Sequence, residues 1–190
     1  MVNRYFFITL TCLLISAAAM AQDCPQWGDR TRAVKFLEEN KPNGTAADPE
    51  CVDRAFSTLA KDKSSVEVLI GLLDFERSME KDHSLKGVSS KYPAVGALVS
   101  IGRPAVPRLL KAIKEASSEI VRTNAATALE GMYRICEKQL IDKLESEAAK
   151  PDTLSEQQER LREAEKYIEQ RHVASSCGER REQISAYRPW

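Results

Sequence analysis

The stretch "YPAVGALVSIGRPAVPRLLKAIKE", Tyr92–Glu115, decides the fold. It holds two apolar stripes, Ala94, Ala97, Leu98 and Ile101 in the first and Val106, Leu109, Leu110 and Ile113 in the second. Residues at i, i+3, i+4 and i+7 share one face of an α-helix, so each run reads as an amphipathic helix. Between the stripes stand Gly102, Pro104 and Pro107, residue types that disrupt helix interiors. At a corner they are harmless. Glycine ends a helix in the left-handed conformation without a Cβ clash. Proline in a first turn gives up only an amide that has no intrahelical acceptor. "IGRPAVP" therefore predicts the tight corner of an αα-hairpin, in which the prolines start the second helix.

Working outward, the corner recurs. Moved forward by 40 residues, "SVEVLIGLL" (Ser65–Leu73) falls on "AVPRLLKAI" (Ala105–Ile113), with Val66 on Val106, Leu69 on Leu109, Ile70 on Leu110 and Leu73 on Ile113. The helix before it aligns at a shift of 42, Ala55 on Ala97 and Leu59 on Ile101. That helix, "DPECVDRAFSTLA", places Asp48 as N-cap and Pro49 at the first helical position, with Val52, Ala55, Phe56 and Leu59 on one face. Ser64 or Ser65 is expected to cap the run that follows, and Asp29–Asn40 reads as a further helix through Val34 and Leu37. Helix pairs repeating at about 40 residues are the pattern of a stacked helical repeat.

The run "ALVSIGRPAVPRLLKAIKEASSEIVRTNAATAL" resembles HEAT and HEAT-like repeats, which favour A-L-x-x-I-G, then A-V-P-x-L, then V-R-x-x-A-A-x-A-L. The resemblance is good over Ala94–Leu129 and fair over Val52–Phe75. More loosely, the layout is similar to small exported bacterial HEAT-like proteins with cysteines near both ends and no assigned activity. It implies an all-α fold, a short α-solenoid of about three stacked antiparallel helix pairs. In such repeats the arginine matching Arg122 commonly pairs between adjacent units. The motif specifies packing and names no reaction.

Beyond Arg134 the pattern changes. "ICEKQLIDKLESEAAK" extends the third helix or begins another, and Pro151 follows. The final long run, capped by Thr153 or Ser155, has a narrow stripe of Leu161, Ala164 and Ile168 and reads as a C-terminal capping helix. Residues 178–190, following the domain at 22–177, read as a flexible tail.

The start of the chain has the layout of a secretory signal peptide over residues 1–21. Arg4 precedes the charge-free "YFFITLTCLLISAAA", and the small residues of "AMA" mark cleavage after Ala21. Export to the periplasm or the medium is expected, with no stable membrane insertion once the signal is removed. The exported chain keeps Cys24, Cys51, Cys136 and Cys177, and an even number of cysteines in an oxidising compartment reads as two disulfides. Three pairings are open. Cys24–Cys51 with Cys136–Cys177 would tie down each end, whereas Cys51–Cys177 would close the fold end to end. No zinc-type spacing occurs.

Charge excludes some partners. The chain carries 28 basic and 28 acidic residues, so no global basic excess exists to hold nucleic acid or an anionic membrane. No Walker loop, dinucleotide fingerprint, G-x-S-x-G, H-E-x-x-H or EF-hand loop is present. No cofactor is expected. The leading expectation is a noncatalytic module that binds a protein or peptide, using one face of the stack with Arg108, Lys111 and Lys114 beside Glu67, Gly71 and Asp74. Arg103, Arg108 and Lys111 are its candidate basic strip. The polar insertion 76–91, "ERSMEKDHSLKGVSSK", is the other suspect, through Arg77, Glu80 and His83. With Asp82 close by, it carries the alternative expectation of an enzyme or metal-binding protein.

Overall fold

The computed structural model describes residues 29–41, 48–77, 85–134 and 137–171, and every regular element among them is helical. The first helix, α1 (Arg30–Asn40), starts where the Asp29 carboxylate accepts the Thr31 amide at 2.6 Å, and it buries Ala33 and Leu37. α2 (Pro49–Ala60) starts as its sequence requires, with Asp48 accepting from the Glu50 amide at 2.8 Å and Pro49 in the first turn. Its four expected core residues, Val52, Ala55, Phe56 and Leu59, are all buried.

The two corners are built alike. After Asp62 a 3₁₀ turn (Lys63–Ser65) leads into α3 (Val66–Gly71); after Gly102 a 3₁₀ turn (Arg103–Ala105) leads into α6 (Val106–Glu115). The 40-residue shift seen in the sequence is thus kept turn for turn in the backbone. Two local expectations are corrected. Ser65 holds the N-cap position of α3 but makes no side-chain cap bond; the side-chain cap comes one turn earlier from Asp62, whose carboxylate accepts from the Ser64 amide at 2.8 Å and the Ser64 hydroxyl at 2.6 Å. Gly102 has the positive φ expected of it, 75°, but its ψ of −143° lies outside the left-handed helical region. That combination is one only glycine adopts readily. α3 is also shorter than its apolar run: the chain leaves the helix after Gly71, and the turn that follows lets Leu72, Leu73 and Phe75 all face inward. There Phe75 meets Phe56 edge to face, centroids 5.4 Å apart.

The insertion contains a helix of its own, α4 (Leu85–Lys91), packed on α5 (Pro93–Ile101) and on α7 (Glu119–Met132). α8 (Glu137–Ala148) is a separate helix, and α9 (Ser155–Arg171) is the last. Side-chain links fix the relative directions. Arg77 pairs with Asp53 near the start of α2, while its amide donates to the Lys91 carbonyl, just before α5. The buried Asn124, in the first half of α7, donates to the Leu73 carbonyl at 2.7 Å. So α2, α5 and α7 lie in order and start at one end, called here the lower end. α1 runs the other way. Arg30 reaches Ser64 and Asp62 at the upper end, and Lys41 reaches the Gly71 carbonyl and Asp74 at the lower end.

Past Met132 the order changes. α8 packs chiefly on α9 and touches α7 little, and α9 lies against both α6 and α7. It runs alongside α7: Arg160 donates to the Lys114 carbonyl at 2.9 Å, Tyr167 meets Thr127 at 3.3 Å and Arg171 meets Glu130 at 3.4 Å. Leu161, Ala164 and Ile168, the stripe read from the sequence, are its buried residues. One continuous core joins all these layers, with Leu37, Leu59, Leu69, Leu98, Leu109, Ile113, Leu129, Leu144 and Leu161 fully buried. Burying such a side chain stabilises the fold by about 1.5–3 kcal/mol. Alanines 94, 97, 125, 126 and 128 let α5 and α7 approach closely.

Candidate functional site

The expected basic strip is not a strip of free cations. Arg108 Nε lies 2.5 Å from Glu67 on α3, Lys111 lies 3.7 Å from Glu115 one turn along, and Lys114 lies 3.4 Å from Glu147 on α8. Asp74 is taken by Lys41 at 2.9 Å. The face that the sequence offered for binding is therefore neutralised pair by pair. Surface pairs of this kind are weak, but they cancel the local field. Arg122 makes no ion pair with an acidic side chain among the described residues. It donates to the carbonyls of Ala116 and Ser117, both at 3.0 Å, and so ties off the end of α6.

The insertion has fixed feet. Lys91 Nζ is 3.0 Å from Glu76, the Arg77 amide donates to the Lys91 carbonyl at 2.7 Å, and the Arg77 guanidinium pairs with Asp53. Arg77 is thereby a clamp between α2 and the base of the insertion, its side chain only 16% exposed. Glu80, Asp82 and His83 lie outside the described residues, as does His172. Among the described residues no cluster of three His, Cys, Asp or Glu is placed to hold a metal ion.

Arg103 differs from the other candidates. It stands on the second corner and lines a groove between that corner and α8, about 590 Å³, with Val106, Pro107, Tyr133, Asp142 and Lys143 among its walls. The groove continues into a hollow of about 440 Å³ over Val99, Gly102, Gly131 and Met132, and Arg103, Tyr133 and Gln139 border both. Sequence reading singled out Arg103 and missed Tyr133, Gln139 and Lys143. These come from the end of α7 and from α8, and no spacing in the chain announces that α8 folds back beside the corner. A second cleft, about 370 Å³, runs between α7 and α9 with Glu119, Arg122, Arg160 and Glu163 along it. Its two arginines are anchored on carbonyls at the end of α6, and the carboxylates of Glu119 and Glu163 line the same cleft.

Cys51, in the first turn of α2, is buried and disulfide-bonded. Cys24, Cys136 and Cys177 lie outside the described residues. No helix among the described residues is long and apolar enough to cross a membrane. No family model, curated protein or solved structure matches the chain.

Proposed function

We propose that this chain is a noncatalytic, exported helical-repeat module of the HEAT-like solenoid type, which binds or scaffolds a protein or peptide partner. The turn-for-turn repetition of the corners 63–66 and 103–106 supports the solenoid reading, with the α8–α9 hairpin as its cap. The binding reading rests on one observation: the groove at the second corner is lined by the one basic candidate, Arg103, that no carboxylate neutralises among the described residues. The reading includes removal of residues 1–21 on export and two disulfides among Cys24, Cys51, Cys136 and Cys177.

Intact mass of the protein isolated from the exported fraction tests this reading. The expected mass is that of Gln22–Trp190 less four hydrogens, with no bound metal under native conditions. The alternative is an enzyme or metal-binding protein built on the insertion 76–91 around His83. What favours it is the closed base of that insertion, where Glu76, Arg77 and Lys91 hold its two ends together. Stoichiometric metal that is lost on His83→Ala would establish the alternative and displace the module.

A further inference from the structure

The corner groove carries positive charge that no carboxylate compensates among the described residues. Arg103 and Lys143 line it, and neither has an ion-pair or hydrogen-bond partner among the described residues. Asp142, the carboxylate on its wall, is already held by Lys138 at 2.7 Å. The contrast with α6 is informative. Arg108, Lys111 and Lys114 each have a carboxylate within 4 Å, whereas these two cations have none among the described residues. Apolar side chains line the same surface, Val106, Pro107 and Tyr133 in the groove with both cations and Val99, Met132 and Tyr133 in the adjoining hollow that Arg103 also borders, and together they form its apolar floor.

Resting on the module reading above, we infer that this groove takes an acidic segment of a partner protein, extended across the corner and carrying a bulky apolar side chain beside its carboxylates. Guanidinium matches carboxylate with two parallel hydrogen bonds, and the lysine adds a point charge. The floor takes a Leu or Phe side chain, which is where binding free energy concentrates in such contacts. A bare anion would leave the floor unused. A nucleic acid needs a long basic track, and the balanced charge of the chain supplies none. The chain's own residues 178–190 carry Arg180, Arg181 and Arg188 against Glu179 and Glu182, the wrong sign for this groove.

The test titrates the full oxidised chain into a short fluorescein-labelled peptide alternating Glu with Leu and Phe, read by anisotropy. Binding should saturate, weaken as salt rises, and fall about tenfold in Arg103→Glu/Lys143→Glu, while Arg108→Glu binds as wild type. Circular dichroism checks that the variants fold, and Arg103→Gln gives a milder change at the same place. Equal binding by the double variant overturns the inference. So does equal binding of poly-Glu, which lacks the apolar residues, or of oligo-dT. A second arm separates this failure from failure of the module itself. If Arg108→Glu loses proteins that wild type captures from the exported fraction, while the double variant keeps them, the module stands and the groove falls. If wild type captures nothing and carries stoichiometric metal, the module reading falls with it.

Discussion

At the residue scale, the two corners test each other. Ser65 is fully buried, and its hydroxyl has no hydrogen-bond partner among the described residues; the equivalent place in the second corner is held by Ala105, also fully buried. A buried hydroxyl without a partner costs its desolvation, about 1–3 kcal/mol. Ser65→Ala should therefore raise the unfolding free energy by about 1 kcal/mol, shifting the urea midpoint without changing the slope. A loss of stability would show that the hydroxyl is bonded in solution. Gly102 gives the opposite expectation. A Cβ there would meet nothing nearer than 4.0 Å, so the constraint is torsional, and Gly102→Ala should cost about 1–3 kcal/mol in the same assay. The glycine was legible in the sequence because only one residue type suits such a place. The cap was not. Serines beside an apolar run read as caps, and periodicity that begins at Val66 has no sight of a 3₁₀ turn that moves the cap back to Asp62.

At the scale of elements, the α8–α9 hairpin places two carboxyls in opposite electrostatic settings. For Glu147 burial acts to raise the pKa, but Lys150 at 2.7 Å and Lys114 at 3.4 Å outweigh it and hold the group below its ordinary 4.5. A carboxyl depressed by folding stabilises the native state above its unfolded pKa, and that contribution is lost as pH falls through the folded value. Glu165 is the reverse. Burial first, then repulsion from Glu145 and Glu169, raise its pKa, with Arg162 opposing. Its ionised form strains the hairpin at neutral pH, and the strain is relieved as pH falls through the raised value. Thermal melts should show this directly. Glu165→Gln should raise Tm at pH 7 by roughly 1–3 °C, and Glu147→Gln should lower it by a similar amount. The Glu165→Gln difference should vanish as the pH falls through the raised folded value toward 4.5, whereas the Glu147→Gln difference should still be present at 4.5 and vanish only as the pH falls through the depressed folded value. The sequence showed the stripe that buries α9, because Leu161, Ala164 and Ile168 share one face. A stripe says which face turns inward and is silent on which helix it meets, so the contact with both α6 and α7 was not legible.

At the scale of the whole molecule, the direction of each helix constrains chemistry that the spacing of cysteines left open. Cys51 sits in the first turn of α2 and so at the lower end. Arg134 and Arg171 close α7 and α9 at the upper end, where Arg171 meets Glu130. A path from there to Cys51 crosses α7 and α5 and descends the height of the stack, each helix spacing being roughly 8–10 Å and each helix of this length about 15 Å. Cys177 follows Arg171 by six residues, which span at most about 20 Å, and Cys136 follows Arg134 by two, which span about 7 Å. Neither reaches. Cys24 precedes Asp29 by five residues, about 17 Å of extended chain, and Asp29 lies one helix length above Cys51 on the adjacent α1. That reach suffices. Arg134 and Arg171, the last described residues before Cys136 and Cys177, both lie at the upper end. Digestion of the nonreduced protein should therefore yield one peptide pair linked through Cys24 and Cys51 and another through Cys136 and Cys177. Reducing either bond should lower stability by about 2–4 kcal/mol. Recovery of a Cys51–Cys177 pair would mean that the chain recrosses the stack after Arg171, and the directions assigned to α2 and α9 could not both stand.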